Sequence, residues 1–337
     1  MRLSSAFHVS DSARYNLRST IPIWVILTLT VGVVSVISEP FRSGINVGNL
    51  LAVMAPLIIV ACAQCMVVLL GGIDLSVGSV MSLATVVASS YTSFGGDFAA
   101  NVAIVLGIGL AVGLVNGVGV ILGINPLIMT LSTLALAKGV ALLVLSSPGG
   151  TLSSTMNDVL NLSVGLIPVF FFVLAVVITF VLWYVLSATT IGRHIYATGG
   201  SIPNAAKSGI HWQRTTLLVY AASGLLAAVA GLALLERIFT GDPLSGDPYT
   251  LDSITAVVLG GVALTGGRGS LLGVVAGAML LALIDNLFNI FNIFSYYQYV
   301  AKGLILIVAL LLYSAGNLRQ ISLHRVVPRY LLRQRTP

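Results

Sequence analysis

Gly71-Gly72-Ile73-Asp74-Leu75-Ser76-Val77-Gly78 sets an acid and two adjacent glycines between stretches as apolar as lipid. The surroundings of that run decide the fold class. Of 337 residues, 57% are hydrophobic and only 8% charged, and mean hydropathy is +1.05. A soluble domain of this size needs a charged exterior that these side chains cannot supply, so the medium is a bilayer. The expected fold is all-α and integral to the membrane.

Crossing ~30 Å of hydrocarbon takes about 20 apolar residues. About ten stretches approach that measure: 22–38, 49–70, 76–92, 99–122, 125–146, 163–186, 215–235, 252–264, 270–288 and 296–315. The eighth is short and glycine-rich, which suits a re-entrant or broken helix. The first lacks a small-residue cleavage site, because Ser38-Glu39-Pro40 follows its apolar core, so it stays as an anchor. The organisation read from this is a cytoplasmic segment over 1–21, one transmembrane domain over 22–315 with a long loop at 187–214, and a basic tail over 316–337.

With ten spans, twelve of the sixteen Lys and Arg residues fall on the side that holds both termini. Arg42 and Arg237 lie opposite, and Lys138 and Lys302 lie within spans. The positive-inside rule makes both termini cytoplasmic. The net charge of +6 is then a signal of topology and anionic lipid. Scattered arginines form no stripe that would grip nucleic acid.

Enzyme and metal signatures fail one by one. Cys62 and Cys65 form a C-x-x-C on the second span, without further ligands or a βαβ context, and read as small buried hydrophobes. His8, His194, His211 and His324 have no zinc-ligand spacing. Ala205-Ala206-Lys207-Ser208 ends like a phosphate-binding loop but lacks the glycine that must precede the lysine. Any ATP that drives this chain is bound by another one.

Small residues supply the packing, since lipid gives no hydrophobic drive for helix association. Gly113 and Gly117, and Gly273 and Gly277, form two GxxxG pairs, read as contacts within the bundle. Leu134-Ala135-Leu136-Ala137-Lys138-Gly139-Val140 echoes Tyr299-Val300-Ala301-Lys302-Gly303-Leu304, each after a span ending in Asn, at Asn116 and Asn286. Two readings stand: an inverted internal repeat, which in transporters sets a path between its halves, or chance likeness between apolar segments. Of the intramembrane charges, Asp285 and Lys302 sit on consecutive spans and are expected to pair; Lys138 has no assigned partner.

In the 187–214 loop, Ser201 to Gly209 reads as a helix of about two turns. Ser201 caps it, Pro203 sits in its first turn, Lys207 lies near its negative end and Gly209 stops it. A short helix on a loop this long suits docking into a groove on another protein. Asp74 is expected to cap the third span, with Ser76 in its first turn.

Three stretches together resemble the permease subunits of bacterial ABC sugar importers of the ribose type, within the branched-chain permease superfamily. They are Gly71 to Gly78, Gly192 to Gly209, and Leu251-Asp252 to Gly260-Gly261 continuing through Gly266-Gly267-Arg268-Gly269-Ser270. The resemblance runs from about residue 45 to 315. It implies a ten-span permease that pairs with a second copy or a paralogue, docks on cytoplasmic ATPase subunits that carry the ATP and Mg, and receives sugar from a periplasmic binding protein. The chain itself would hold no cofactor and would lie in the bacterial inner membrane.

Carried over by the resemblance, Arg193, Tyr196, Gly199, Asn204, Ala205, Ala206, Ser208 and Gly209 couple to the ATPase, and Gly71, Gly72, Asp74, Ser76, Gly78 and Asp252 form structural motifs. Departures are Thr198 and Ser201, where the family more often has Ile and Asn, and Thr250, where Glu is usual. Gln64, Asn116, Asn125, Thr130 and Ser132 are path candidates chosen as polar residues on or beside spans; each serves equally as a packing hydrogen bond. A branched-chain amino acid permease and an ion-coupled secondary transporter are the alternatives.

Overall fold

In the computed structural model, residues 11–90, 98–152 and 170–326 are described, together with 155, 158, 163–164 and 167–168 between them. The first ten residues and the end of the tail, 327–337, lie outside the described residues, as do Asp97 and positions 91–92 of the third expected span.

Among the described residues, twelve helices carry the chain. They are α1 (Asp11–Ile37), α2 (Gly44–Leu69), α3 (Val77–Ser89), α4 (Phe98–Ile121), α5 (Pro126–Val144), α6 (Phe170–Ala188), α7 (Thr190–Gly200), α8 (Ile202–Lys207), α9 (Trp212–Ile238), α10 (Asp247–Leu259), α11 (Leu271–Ile290) and α12 (Ser295–Val326). A 3₁₀ turn at Pro40–Arg42 precedes α2, and a two-residue antiparallel pair, Ser163–Val164 with Ile167–Pro168, precedes α6. Among the described residues, seven helices are long and apolar enough to cross a membrane: α1, α2, α4, α5, α6, α9 and α11. Shorter apolar helices are α3 and the Tyr296–Leu311 part of α12.

The third and eighth expected spans are shorter than a crossing. Helices α3 and α10 each have 13 residues, about 20 Å at 1.5 Å per residue. The apolar run 76–92 reads as continuous, but the chain over 71–76 is not helical, and α3 starts only at Val77. Helix α10 starts at Asp247, with Pro248 in its first turn where a missing N–H costs nothing. The eighth expected span, 252–264, is therefore displaced toward the N-terminus. The two short helices meet by their first turns: a Cβ on Gly78 would collide with Thr250 Oγ1 and the Gly246 carbonyl. The Gly246 amide donates to Ser82 Oγ at 2.8 Å, and Thr85 Oγ1 lies 3.2 Å from the Asp242 carbonyl. Rising numbers on one side face falling numbers on the other, so the chain entering α10 runs antiparallel to α3.

Helices α2 and α9 form the buried centre. Ser43 caps α2 by accepting from the Asn46 amide at 3.2 Å, and every residue of α2 from Val53 to Leu69 is buried. Packing repeats between α2–α5 and α9–α12. Helix α4 lies on α9 as α11 lies on α2, α3 touches α5 as α10 touches α12, and α3 packs on α9 as α10 packs on α2. Both GxxxG pairs face neighbours in the same chain: Gly113 meets the backbone of Tyr220 and Ala221 on α9, and Gly273 meets Gly260 at the end of α10. Helices α1, α5 and α6 leave most of their apolar surface uncovered. Helix α1 begins at Asp11, inside the expected 1–21 segment, and α12 runs to Val326, past the expected end of the last span.

Candidate functional site

Three of the polar path candidates converge on Asp74. Its Oδ1 accepts from the Ser76 amide at 3.0 Å and from Ser76 Oγ at 2.6 Å, and its Oδ2 accepts from Ser223 Oγ on α9 at 2.9 Å. Asn116 Nδ2 on α4 donates to Ser76 Oγ at 2.9 Å, and Thr133 Oγ1 on α5 donates to Asn116 Oδ1 at 2.6 Å. In the amide orientation that satisfies both groups, Gln64 on α2 donates to the Asp74 carbonyl at 3.0 Å and accepts from its N–H at 3.2 Å. Thr130 reaches the Ile73 carbonyl at 3.2 Å. Proton donation thus runs in one direction, Thr133 to Asn116 to Ser76 to Asp74, with Ser223 closing the other oxygen.

Gln64, Asp74, Asn116, Thr130 and Ser223 are all fully buried. A sealed set of satisfied hydrogen bonds holds a backbone in place and offers nothing to a passing solute. Ser76, rather than Asp74, occupies the cap position of α3; the acid lies two residues earlier and folds the approach to the helix through its bond to the Ser76 amide. The other two path candidates stand apart. Asn125 caps α5 by accepting from the Leu127 amide at 2.9 Å, and Ser132 is exposed and bonds its own helix at Ile128.

The three motif stretches meet at backbone. The Gly267 amide donates to the Leu69 carbonyl at 2.8 Å, and a Cβ on Gly199 would collide with that same carbonyl. One on Gly266 would come within 2.7 Å of the Gly199 carbonyl and 2.8 Å of Gly71 Cα. Gly71 and Gly266 have φ of 92° and 83°, a region where side chains are strained. Thus the end of α2, the end of α7 and the turn after α10 share one junction, too tight for a Cβ at Gly199, Gly266 or Gly267. Tyr196 of α7 ties it further, its hydroxyl donating to the Gly269 carbonyl at 3.0 Å; burial pushes the phenol up, keeping the proton in place.

The 187–214 loop contains two helices where the sequence suggested one. Thr189 caps α7 through the Gly192 amide at 3.4 Å, and Ser201 caps α8 through the Asn204 amide at 3.4 Å. Helix α8 has six residues and ends before Gly209, which takes φ 78°. The coupling candidates divide by face. Arg193, Asn204, Ala206, Ser208 and Gly209 are exposed, whereas Ala205 is buried and Tyr196 and Gly199 turn inward.

A charged cluster lies among α10, α11 and α12. Lys302 Nζ is 2.7 Å from Asp252 Oδ2 and 2.9 Å from Asp285 Oδ2. The expected Asp285–Lys302 pair is thus a triad, completed by a residue singled out only as part of a motif. Lys138 of α5 pairs with Asp247 at the start of α10. Beside the triad opens a cavity of about 330 Å³, and one of about 380 Å³ adjoins it, the two sharing Val53, Arg237 and Asn289. Asn46 and Asn286 bond each other there through both amides, at 2.8 and 3.2 Å. Sequence reasoning passed over Ser223, Thr133, Asn46 and Arg237; the available signal was a polar side chain on an apolar helix, too common to single them out.

An apolar helical bundle with seven helices long enough to cross a membrane among the described residues suits a multi-pass membrane protein. The chain belongs to the family described as "Branched-chain amino acid transport system / permease component", which matches residues 46–310. It is 36% identical over 294 residues to the ribose import permease protein of Haemophilus influenzae, covering 86% of this chain and 91% of the relative. It is 33% identical over 306 residues to the fructose import permease protein of Rhizobium meliloti, covering 86% and 84%. A probable ABC transporter permease protein of Sinorhizobium fredii is 36% identical over 291 residues, covering 86% of each. No solved structure matches the chain at a significant level.

Proposed function

We propose that this permease forms the translocation path of an ATP-driven sugar importer in a bacterial inner membrane, powered by a separate ATPase chain and supplied by a periplasmic binding protein. The observation that carries the reading is the junction at Gly71, Gly199 and Gly266–Gly267. Through it, the loop bearing α8 is in rigid contact with the entry to α3 and the exit from α10. A partner that moves α8 therefore moves both interrupted spans, and nucleotide shifts the path between two facing states through differential affinity. On this reading α1 to α6 and α9 to α12 make ten passages through the bilayer, with both termini, α7 and α8 cytoplasmic. The matched packing of α2–α5 and α9–α12 supports an inverted repeat whose broken helices cross at the middle. The exposed faces of α5 and α6 are left for lipid and a second permease.

Named relatives that import ribose and fructose favour a sugar over a branched-chain amino acid, and the family description alone does not separate them. The test is uptake into proteoliposomes holding the permease, its ATPase and its binding protein. ATP-dependent sugar uptake is expected; uptake driven by an ion gradient without the ATPase would overturn the reading.

A further inference from the structure

We propose that the two adjoining cavities beside the Lys302 triad are a binding site for one neutral polyhydroxylated ligand, a monosaccharide, which rests there between delivery and passage. This rests on the importer reading above and assigns to it a place and a chemistry.

The lining is the first argument. Asn49, Asn289 and Gln298 present amides, each able to donate and accept from one planar group; Gln298 Nε2 donates to Asn289 Oδ1 at 3.4 Å, leaving the Asn289 amino group and the Gln298 carbonyl for a carbohydrate hydroxyl. Asn49 is exposed and lines the larger space, and its side chain makes no hydrogen bond among the described residues. Asp285 uses Oδ2 for Lys302, while its Oδ1 is buried and without a partner among the described residues. A buried carboxylate oxygen left unmatched is costly, and a ligand hydroxyl donating to it removes that cost. Tyr249 and Tyr299 also line the space, offering aromatic rings to the C–H face of a sugar.

Charge sets the class of ligand. Asp252 and Asp285 face Lys302 and Arg237, two charges of each sign. The balance attracts neither an anion nor a cation, and Lys302 is already held by both acids. The volumes, about 330 and 380 Å³, fall at the small end of ligand sites, roughly 300–1,000 Å³. The Asp74 network, by comparison, is fully buried and its groups already bond one another.

The test uses Asn49→Cys in the full chain, in membrane vesicles with its ATPase. Cys62 and Cys65 are fully buried, so the new thiol is the one that a polar maleimide reaches. Labelling is timed with D-ribose, D-xylose, D-fructose or L-leucine at about 50 mM, well above the millimolar Kd of a weak site. At least one sugar is expected to slow labelling several-fold, leucine to leave it unchanged, and an exposed control, Ser147→Cys, to be indifferent to all four. Adding Asp285→Asn or, should that variant fail to fold, Asn289→Ala is expected to abolish the protection. Labelling that no sugar slows, that leucine slows, or that slows equally at Ser147→Cys would overturn the assignment. ATP-driven uptake with no protection removes the site alone; protection without uptake removes the importer reading alone.

Discussion

The alpha carbon of Gly199 rests against the carbonyl of Leu69, whose oxygen also accepts the Gly267 amide hydrogen at 2.8 Å. One acceptor at the end of α2 therefore fixes both the end of α7 and the turn after α10. Gly199→Ala places a methyl where that carbonyl stands. Overpacking of this kind costs about 1–3 kcal/mol, and thermal unfolding of the detergent-solubilised chain should show it as a lowered Tm. Because the same contact links α8 to the interrupted spans, uptake should fall further than the loss of folded protein explains.

Neighbouring alanines on α8 should behave oppositely. Ala206 is exposed and Ala205 is 2% exposed. Ala206→Glu is expected to leave the Tm unchanged and abolish co-purification of the ATPase, while Ala205→Glu lowers the Tm itself by burying a charge. Equal co-purification of wild type and Ala206→Glu would remove this face of α8 from the docking surface.

Asp74 separates charge from geometry. Asp74→Asn keeps one acceptor for Ser76 and lets the Ser223 hydroxyl rotate to accept, so a loss of about 1 kcal/mol is expected. Asp74→Leu strands the Ser76 amide and the Ser76 and Ser223 hydroxyls in a dry interior, where each unmatched polar group costs about 1–3 kcal/mol, while the Gln64 bonds to the main chain of residue 74 remain. Thermal denaturation of the two variants side by side should rank them clearly; equal stability would mean that the network does not hold the entry to α3.

The two lysines differ in what surrounds them. The side chains of Lys302 and Asp252 are 13% and 9% exposed, against 35% and 39% for Lys138 and Asp247. Lys302→Met leaves two buried carboxylates facing each other and should cost about 3–5 kcal/mol. Adding Asp252→Asn should restore part of that loss. Lys138→Met should be much milder, and a Tm loss equal to that of Lys302→Met would refute the distinction.

Composition and hydropathy made the helical membrane bundle legible, and short-range chemistry made α8 legible through Ser201, Pro203 and Lys207. The Asp285–Lys302 contact was readable too, because lone charges on consecutive apolar helices need partners. What escaped was long-range or non-helical. Ser223 and Asp74 lie 149 residues apart, and no periodicity connects them. The run 76–92 is apolar enough for a span, but hydropathy does not register that residues 71–76 are non-helical and that α3 begins only at Val77. Helix α7 escaped because glycine carries low helix propensity, and the close backbone packing of Gly199 against Leu69 that offsets it is a long-range contact.

The crossing of α3 and α10 at Gly78 and Gly246 bears on how far a movement travels. A rod that runs from face to face acts as a lever, and tilting its foot swings its head. Interrupted rods that share a fulcrum at their blunt ends transmit force to that fulcrum and release it there. On the proposed importer reading, each face would then yield while the other stays shut, which is what a carrier must do to avoid becoming a hole.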